Sequence, residues 1–172
     1  MGTALAAADA ELEQPLDFDA LVHRHQAMVF SIAVHFLQDY SAAEELAQDV
    51  FLQLHRHLGA LQSADHVTFW LRRVTTHRCI DRSRRRRFRF LSLDTVPEPA
   101  ADTRSADPLL SRRLRALVGA LPAPARMAVV LRYQEDLTPE EIARVLDRPV
   151  ATVKSQLQRA LKTLREKMVR HA

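Results

Sequence analysis

One cysteine, Cys79, stands in a chain of 172 residues. A single thiol closes no internal disulfide, so nothing here calls for an oxidising compartment. Glycine is nearly as scarce, at three residues, and seven of the eight prolines fall between residues 97 and 149. No run of 18 apolar residues occurs, and Met1 to Ala10 has neither a basic start nor a long apolar stretch. The expectation is no membrane insertion and no secretory signal. Few turn residues and little β-branched alternation leave helices as the main structure, and 47% apolar residues suffice for a core. The fold class predicted is all-α.

Histidine is more plentiful, at eight, but the spacing argues against a metal site. His23 and His25, His55 and His57, and His77 and Cys79 are each two apart, which on a helix turns the two side chains about 200° from one another. Ligands on one helix need a spacing of three or four. No metal, no cofactor and no enzymatic activity are expected from the residues.

The net charge of +4 hides a strong alternation. Residues 1–20 carry −5 and residues 21–65 carry −3, whereas residues 66–90 carry +8; residues 91–111 return to −3 and residues 112–172 reach +7. Basic segments of this strength fit a polyanionic partner, and the acidic ones fit basic protein surfaces.

In chain order, residues 1–14 read as a flexible acidic start. A helix over Asp17 to Leu37 places Phe18, Leu21, Val22, His25, Met28, Val29, Ile32, Ala33 and Phe36 on one face. Gln38-Asp39-Tyr40 reads as a turn. Ser41 and Glu44 form a capping box for a second helix with Leu46, Val50, Phe51, Leu54 and Leu58 inward, and Gly59 is placed to end it in the left-handed conformation. After a loop over 60–65, a third helix from His66 to about Phe88 buries Val67, Trp70, Leu71 and Val74 and ends in the run RSRRRRFRF, residues 82–90, a helical basic face for phosphate. Residues 91–108 lack periodicity and read as a flexible acidic linker. Leu109 to Leu121 and Ala125 to Tyr133 follow as helices around a Pro122–Pro124 corner. The domains are therefore 15–90 and 109–172.

Thr138 to Met168 carries the clearest local pattern. Thr138 and Glu141 form a T-x-x-E capping box with Pro139 at the first helical position. Asp147-Arg148-Pro149 breaks this short helix, and a longer one buries Val153, Leu157, Ala160, Leu161, Leu164 and Met168. Its other face holds Thr152, Lys154, Ser155, Gln158, Arg159 and Lys162. A short helix, a turn, and a second helix with a cationic, amide-rich face is the form that enters a major groove. An antiparallel helix pair with a solvated basic face has the same periodicity, so the pattern alone leaves both open.

Two blocks then carry a family resemblance. SAAEELAQDVFLQLHRHL, residues 41–58, followed by FWLRRVTTHRCIDRSRRRR, residues 69–87, is similar to A-E-D-L-x-Q-x-x-F and W-L-x-x-I-A-x-N-x-x-x-D-x-x-R. ALPAPARMAVVLRYQEDLTPEEIARVLDRPVATVKSQLQRALKTL, residues 120–164, is similar to L-P-x-x-x-R-x-V-x-x-L-R, then E-I-A-x-x-L, then G-T-V-K-S-R-x-x-R-A. The chain resembles a group IV (extracytoplasmic-function) bacterial sigma factor of the sigma-70 family. A stand-alone helix-turn-helix regulator would match the second block but leaves the first without a role.

The resemblance implies a cytoplasmic protein that binds core RNA polymerase and promoter DNA and does no chemistry itself. Glu45, Gln48 and Asp49 fall where the family meets the polymerase. Arg72, Arg73, His77, Arg78 and Arg82 fall where it engages the −10 element. Thr152, Lys154, Ser155, Gln158 and Arg159 match the face that reads −35. Arg126 and Arg132 match basic positions and are expected to hold phosphate, while Phe51 and Trp70 are expected in the core. His77, Glu45, Ala151 and Gln156 depart from the pattern and bear on DNA preference. The resemblance further implies an anti-sigma partner, and an acidic linker that threads near the polymerase active-site cleft or RNA exit path. The free chain is expected to be a monomer whose two like-charged domains tumble independently.

Overall fold

The computed structural model describes residues 16–90 and 108–169. The expected flexible start and nearly all of the acidic linker lie outside the described residues. Seven α-helices are found among the described residues: α1 Phe18–Leu37, α2 Tyr40–His57, α3 Ala64–Phe90, α4 Pro108–Gly119, α5 Ala123–Tyr133, α6 Pro139–Leu146 and α7 Val150–Val169. A short 3-10 turn, Leu58–Ala60, joins α2 to α3. The described residues contain no strand.

Helix α1 starts where Asp17 accepts a hydrogen bond from the Asp19 amide and satisfies one orphan donor of the first turn. It ends at Gln38, held in the left-handed region at φ 56°, with its amide donating to the Val34 carbonyl. This reversal sets the start of α2. Asp39, not Ser41, is the N-cap: its carboxylate accepts from the Ala42 amide at 3.0 Å, and the helix begins at Tyr40. Gly59 does not adopt positive φ either; it sits in the 3-10 turn, and the left-handed residues described are Gln38, Asp136 and Asp147. The third helix is longer than expected and carries the arginine run as continuous helix to Phe90.

The α1, α2 and α3 helices pack around Val29, Ile32, Phe36, Leu46, Val50, Leu54, Val67 and Leu71. Burying each such side chain contributes about 1.5–3 kcal/mol. Phe51 and Trp70 are partly buried and lie against this core, as expected. Cys79 is fully buried, and desolvation pushes its thiol up to about 12.

The α5, α6 and α7 helices form the second core from Met127, Leu131, Leu137, Ile142, Val145, Val153, Leu157, Ala160 and Leu164. The capping box at the start of α6 is complete: Thr138 accepts from the Glu141 amide, and the Glu141 carboxylate accepts from the Thr138 amide at 2.7 Å. Asp147 ends α6 in the left-handed region at φ 54°.

The two groups of helices are not separate bodies. Helix α5 packs against α1 and α3, and α6 packs against α3. The expectation of independent tumbling is corrected by this packing. It rested on the lack of a broad apolar stripe to join the halves. The buried apolar residues of the two groups run together into one core, and polar side chains on backbone carbonyls add to the joint.

Candidate nucleic-acid and polymerase interface

Helix α7 turns Val153, Leu157, Ala160 and Leu164 into the core and leaves Lys154, Gln158, Arg159 and Lys162 exposed on its outer side. Thr152 and Ser155 are half-buried, and the Ser155 hydroxyl donates to the Thr152 carbonyl at 3.0 Å. Of the residues expected at −35, Lys154, Gln158 and Arg159 are therefore exposed, while Thr152 and Ser155 border them. Lys154 pairs with Glu140 at the start of α6, 2.9 Å away, and this contact holds the Glu140 carboxyl below the ordinary range. Both groups are exposed, so a phosphate exchanges for Glu140 with little loss.

Helix α3 presents its expected residues in two directions rather than one. Arg78 and Arg82 turn toward α2: the Arg78 Nε donates to the Gln53 side chain at 2.9 Å, Arg78 pairs with Asp49 at 3.6 Å, and Arg82 pairs with Glu45 at 2.6 Å. Arg72, Arg73 and His77 lie toward the second group of helices. Arg73 pairs with Asp147 at 3.7 Å, and its Nη1 donates to the Arg144 carbonyl at 3.4 Å. Burial pushes the Glu135 carboxyl up and hydrogen bonds from Thr138 hold the Glu141 carboxyl down, while the Arg72 charge favours the ionised form of each. His77 is held below its ordinary pKa, mainly by burial and then by Arg73, with Asp81 and Asp147 opposing.

On α2, Glu45, Gln48 and Asp49 are all exposed on one side of the helix. Leu52, 57% exposed, continues that side one turn on. The sequence reading did not single it out. Its position outside the stripe formed by Leu46, Val50 and Leu54 was the available signal. An apolar side chain beside carboxylates gives a protein-binding face a contact that charge alone lacks.

Two arginines expected to hold phosphate do something else. Arg126 donates to the Phe36 carbonyl at 3.2 Å, to the Leu121 carbonyl at 3.2 Å and to the Gly119 carbonyl. Arg132 donates to the Leu137 carbonyl at 3.1 Å, bracing the loop that leads into α6. Both thus donate to backbone carbonyls of their own chain, Arg126 to three of them and Arg132 to one.

No group of histidine, cysteine, aspartate and glutamate suited to a metal is found among the described residues, and no described helix is long and apolar enough to cross a membrane. A helix-turn-helix with an exposed cationic face, beside a helical unit with an acidic side and an arginine-rich helix, defines a DNA-binding transcription factor. Residues 21–89 match the family described as Sigma-70 region 2, and residues 111–164 match Sigma-70, region 4. The chain is 33% identical to the ECF RNA polymerase sigma factor SigE of Mycolicibacterium smegmatis, covering 99% of this chain and 69% of that protein. It is 23% identical to the ECF sigma factor SigW of Bacillus subtilis, covering 88% of each. In fold it is similar to the sigma factor RpoE of Bartonella quintana, solved with the anti-sigma factor NepR, at a TM-score of 0.72 and 19% identity over 87% of this chain and 95% of that one. It is likewise similar to CnrH, solved with the cytosolic domain of CnrY, at 0.68 and 22% identity over 98% and 97%. The chain belongs to the sigma-70 family, among its ECF sigma factors, and directs transcription initiation by RNA polymerase.

Proposed function

We propose that the division of labour follows the three polar faces. The α7 face, with Lys154, Gln158 and Arg159 and bordered by Thr152 and Ser155, reads the −35 element. Helix α3, with Arg72, Arg73, His77, Arg78 and Arg82, engages the −10 element and helps to melt it. Glu45, Gln48 and Asp49 on α2, with Leu52, meet core RNA polymerase. The observation that carries this reading is the side-selection on α7, where Val153, Leu157, Ala160 and Leu164 are turned inward and Lys154, Gln158 and Arg159 are left outside. That is the arrangement by which a recognition helix puts long polar side chains into a major groove.

The protein does no chemistry of its own in this reading, uses no metal or cofactor, and works in the cytoplasm as a monomer until it joins the polymerase. Residues 15–90 and 109–172 serve as its polymerase-and-−10 and −35 domains, joined by the linker. An anti-sigma factor is a further partner. The structural relative RpoE was solved with one, and the exposed basic faces here suit an acidic or amphipathic-helical inhibitor.

Run-off transcription with purified core polymerase separates the three faces. Glu45→Ala with Asp49→Ala should lower co-elution with core enzyme. Arg159→Ala should leave co-elution intact and lower promoter-dependent RNA. Unchanged RNA from the Arg159→Ala chain at limiting promoter would reject the assignment of α7.

A further inference from the structure

Where the arginine run of α3 passes the corner between α4 and α5, a cleft of about 770 Å3 opens that none of the three assigned faces uses. Its size suits a small organic ligand. Ile80, Ser83, Arg84 and Arg87 form one wall; their spacings of three and four put them on one side of α3. The corner itself, residues 119–124, forms the other wall, and Leu37 and Arg126 are also in the lining.

Four arginines, Arg84, Arg86, Arg87 and Arg126, line this cleft against one acid, Asp39. Asp39 is already engaged: its carboxylate accepts from the Ala42 amide at 3.0 Å and pairs with Arg86 at 3.7 Å. Arg84 and Arg87 are exposed, and among the described residues neither has an ion pair. The neighbouring cleft between α2 and α3 is different. There Arg78 pairs with Asp49 and Arg82 with Glu45, and Asp81 adds a further acid to the lining. One stretch of α3 is therefore neutralised by its own chain, and the next is left cationic.

Guanidinium groups one turn apart suit an acceptor with several oxygens in a short row, and a chain of phosphates offers that in bidentate form. The start of α5 favours the same ligand. Its N-cap is Pro122, which has no side chain to accept from the first-turn amides, and a helix start carries partial positive charge. Half-buried Leu37 and Ile80 add apolar surface for whatever group carries the phosphates.

The cleft keeps its shape without a ligand. The Gln38 side-chain amide donates to the Arg115 carbonyl of α4 at 2.6 Å, and Arg126 donates to the Phe36 carbonyl of α1 at 3.2 Å. Gly119 allows the first contact, since a Cβ there would stand 2.7 Å from the Gln38 Oε1. A ligand then orders only itself and the arginine heads.

We infer that this cleft is a binding site for a compact oligophosphate, free or carried by a nucleoside, gripped by Arg84 and Arg87 between α3 and the α4–α5 corner. The site uses no residue assigned to the −35 element, the −10 element or the polymerase, and it goes beyond those assignments. A ligand bound to the folded chain alone also raises its stability.

Isothermal titration of the full chain with sodium tripolyphosphate, ATP and adenosine, without divalent metal, tests the site. Tripolyphosphate and ATP should each saturate one site and raise the melting temperature, and adenosine should do neither. The tighter of the two anions identifies the source. Arg84→Gln with Arg87→Gln should weaken both by roughly tenfold or more, the scale of a lost charge-assisted contact. Arg85→Gln with Arg165→Gln removes equal charge from exposed positions outside the cleft and should change affinity by less than about twofold at physiological salt. Ala120→Glu puts a carboxylate on the opposite wall at an exposed turn position and should weaken the anions as well. Unchanged affinity in Ala120→Glu would place the anion on the open side of α3 and overturn the cleft. Absence of saturable binding, or equal losses in the two arginine pairs, would overturn it too. Displacement of the bound anion by a duplex oligonucleotide would make the contact one to DNA backbone and overturn the small-ligand reading.

Discussion

The Arg126 guanidinium lies over the ring of Phe36, 5.1 Å from its centroid, and donates to that same residue's carbonyl at 3.2 Å. Phe36 sits in the last turn of α1, where carbonyls have no partner within the helix and a cation is favoured by the helix dipole. The Arg126 Nη2 closes the corner between α4 and α5 on the Gly119 and Leu121 carbonyls. One side chain thereby joins sequence positions 90 residues apart.

Arg126→Ala should destabilise the fold by roughly 2 kcal/mol or more, because it leaves several buried carbonyls unmet. Arg126→Lys should recover only part, since an ammonium lacks the planar fork that spans three acceptors. Urea denaturation of the three chains checks this, with lysine expected between alanine and the parent.

Stability should fall as pH drops from about 7.5 to 5.5. His25 is buried at 6% exposure and held below its ordinary pKa by burial first, then by Arg24 and Arg72. His77 is lowered in the same sense. A histidine with a depressed folded pKa favours the fold while neutral, so its contribution is full above the ordinary value of about 6.5 and is lost as pH falls below it. Glu135 runs the other way. Burial raises its pKa, so its charged form opposes the fold above the ordinary carboxyl range and its protonation at low pH relieves that cost. Thermal melts across this range should show a decline that His25→Gln and His77→Gln together flatten.

Thr138→Ala should cost about 1 kcal/mol, the usual loss for an N-cap threonine. Here the cap also orders the approach of Glu141 to the Thr138 amide. Since α6 supports α7, the change should lower the melting temperature and leave the intrinsic contacts of the Arg159 face intact, as read by promoter affinity well below the melting range.

Arg159→Ala and Lys154→Ala should differ in kind. A base-reading side chain contributes about 1–3 kcal/mol and its loss relaxes sequence choice. A phosphate contact weakens all sequences alike and lowers the salt slope by about one. Lys154 already has Glu140 as a partner, so we expect Lys154→Ala to show the second pattern and Arg159→Ala the first. Titrations of holoenzyme on matched and altered −35 duplexes at several salt concentrations distinguish them.

Helix existence was legible in the chain because amphipathic periodicity is a local property: Val153, Leu157, Ala160 and Leu164 announce α7 and its buried side without reference to any other element. The Thr138–Glu141 capping box was legible for the same reason, since its partners lie three residues apart. The cap of α2 was not. Asp39 and Ser41 are both competent, and the left-handed Gln38 that ends α1 selects Asp39 by aiming it at the Ala42 amide.

What only the tertiary structure decided is where the arginines spend their donors. Position on a helix fixes the direction of a Cβ, but an arginine head is several rotatable bonds further out. Whether it finds a carbonyl, a carboxylate or solvent depends on elements distant in sequence. Arg126 and Arg132 were expected on phosphate and are committed to backbone carbonyls; Arg73 was expected on an open face and meets Asp147 and the Arg144 carbonyl, 71 residues away. The sequence determined the helices, their inward sides, the alternation of charge and the family to which they belong. The closing of one half on the other was decided by contacts of long range, apolar in the shared core and polar around it, which leave no period in the chain.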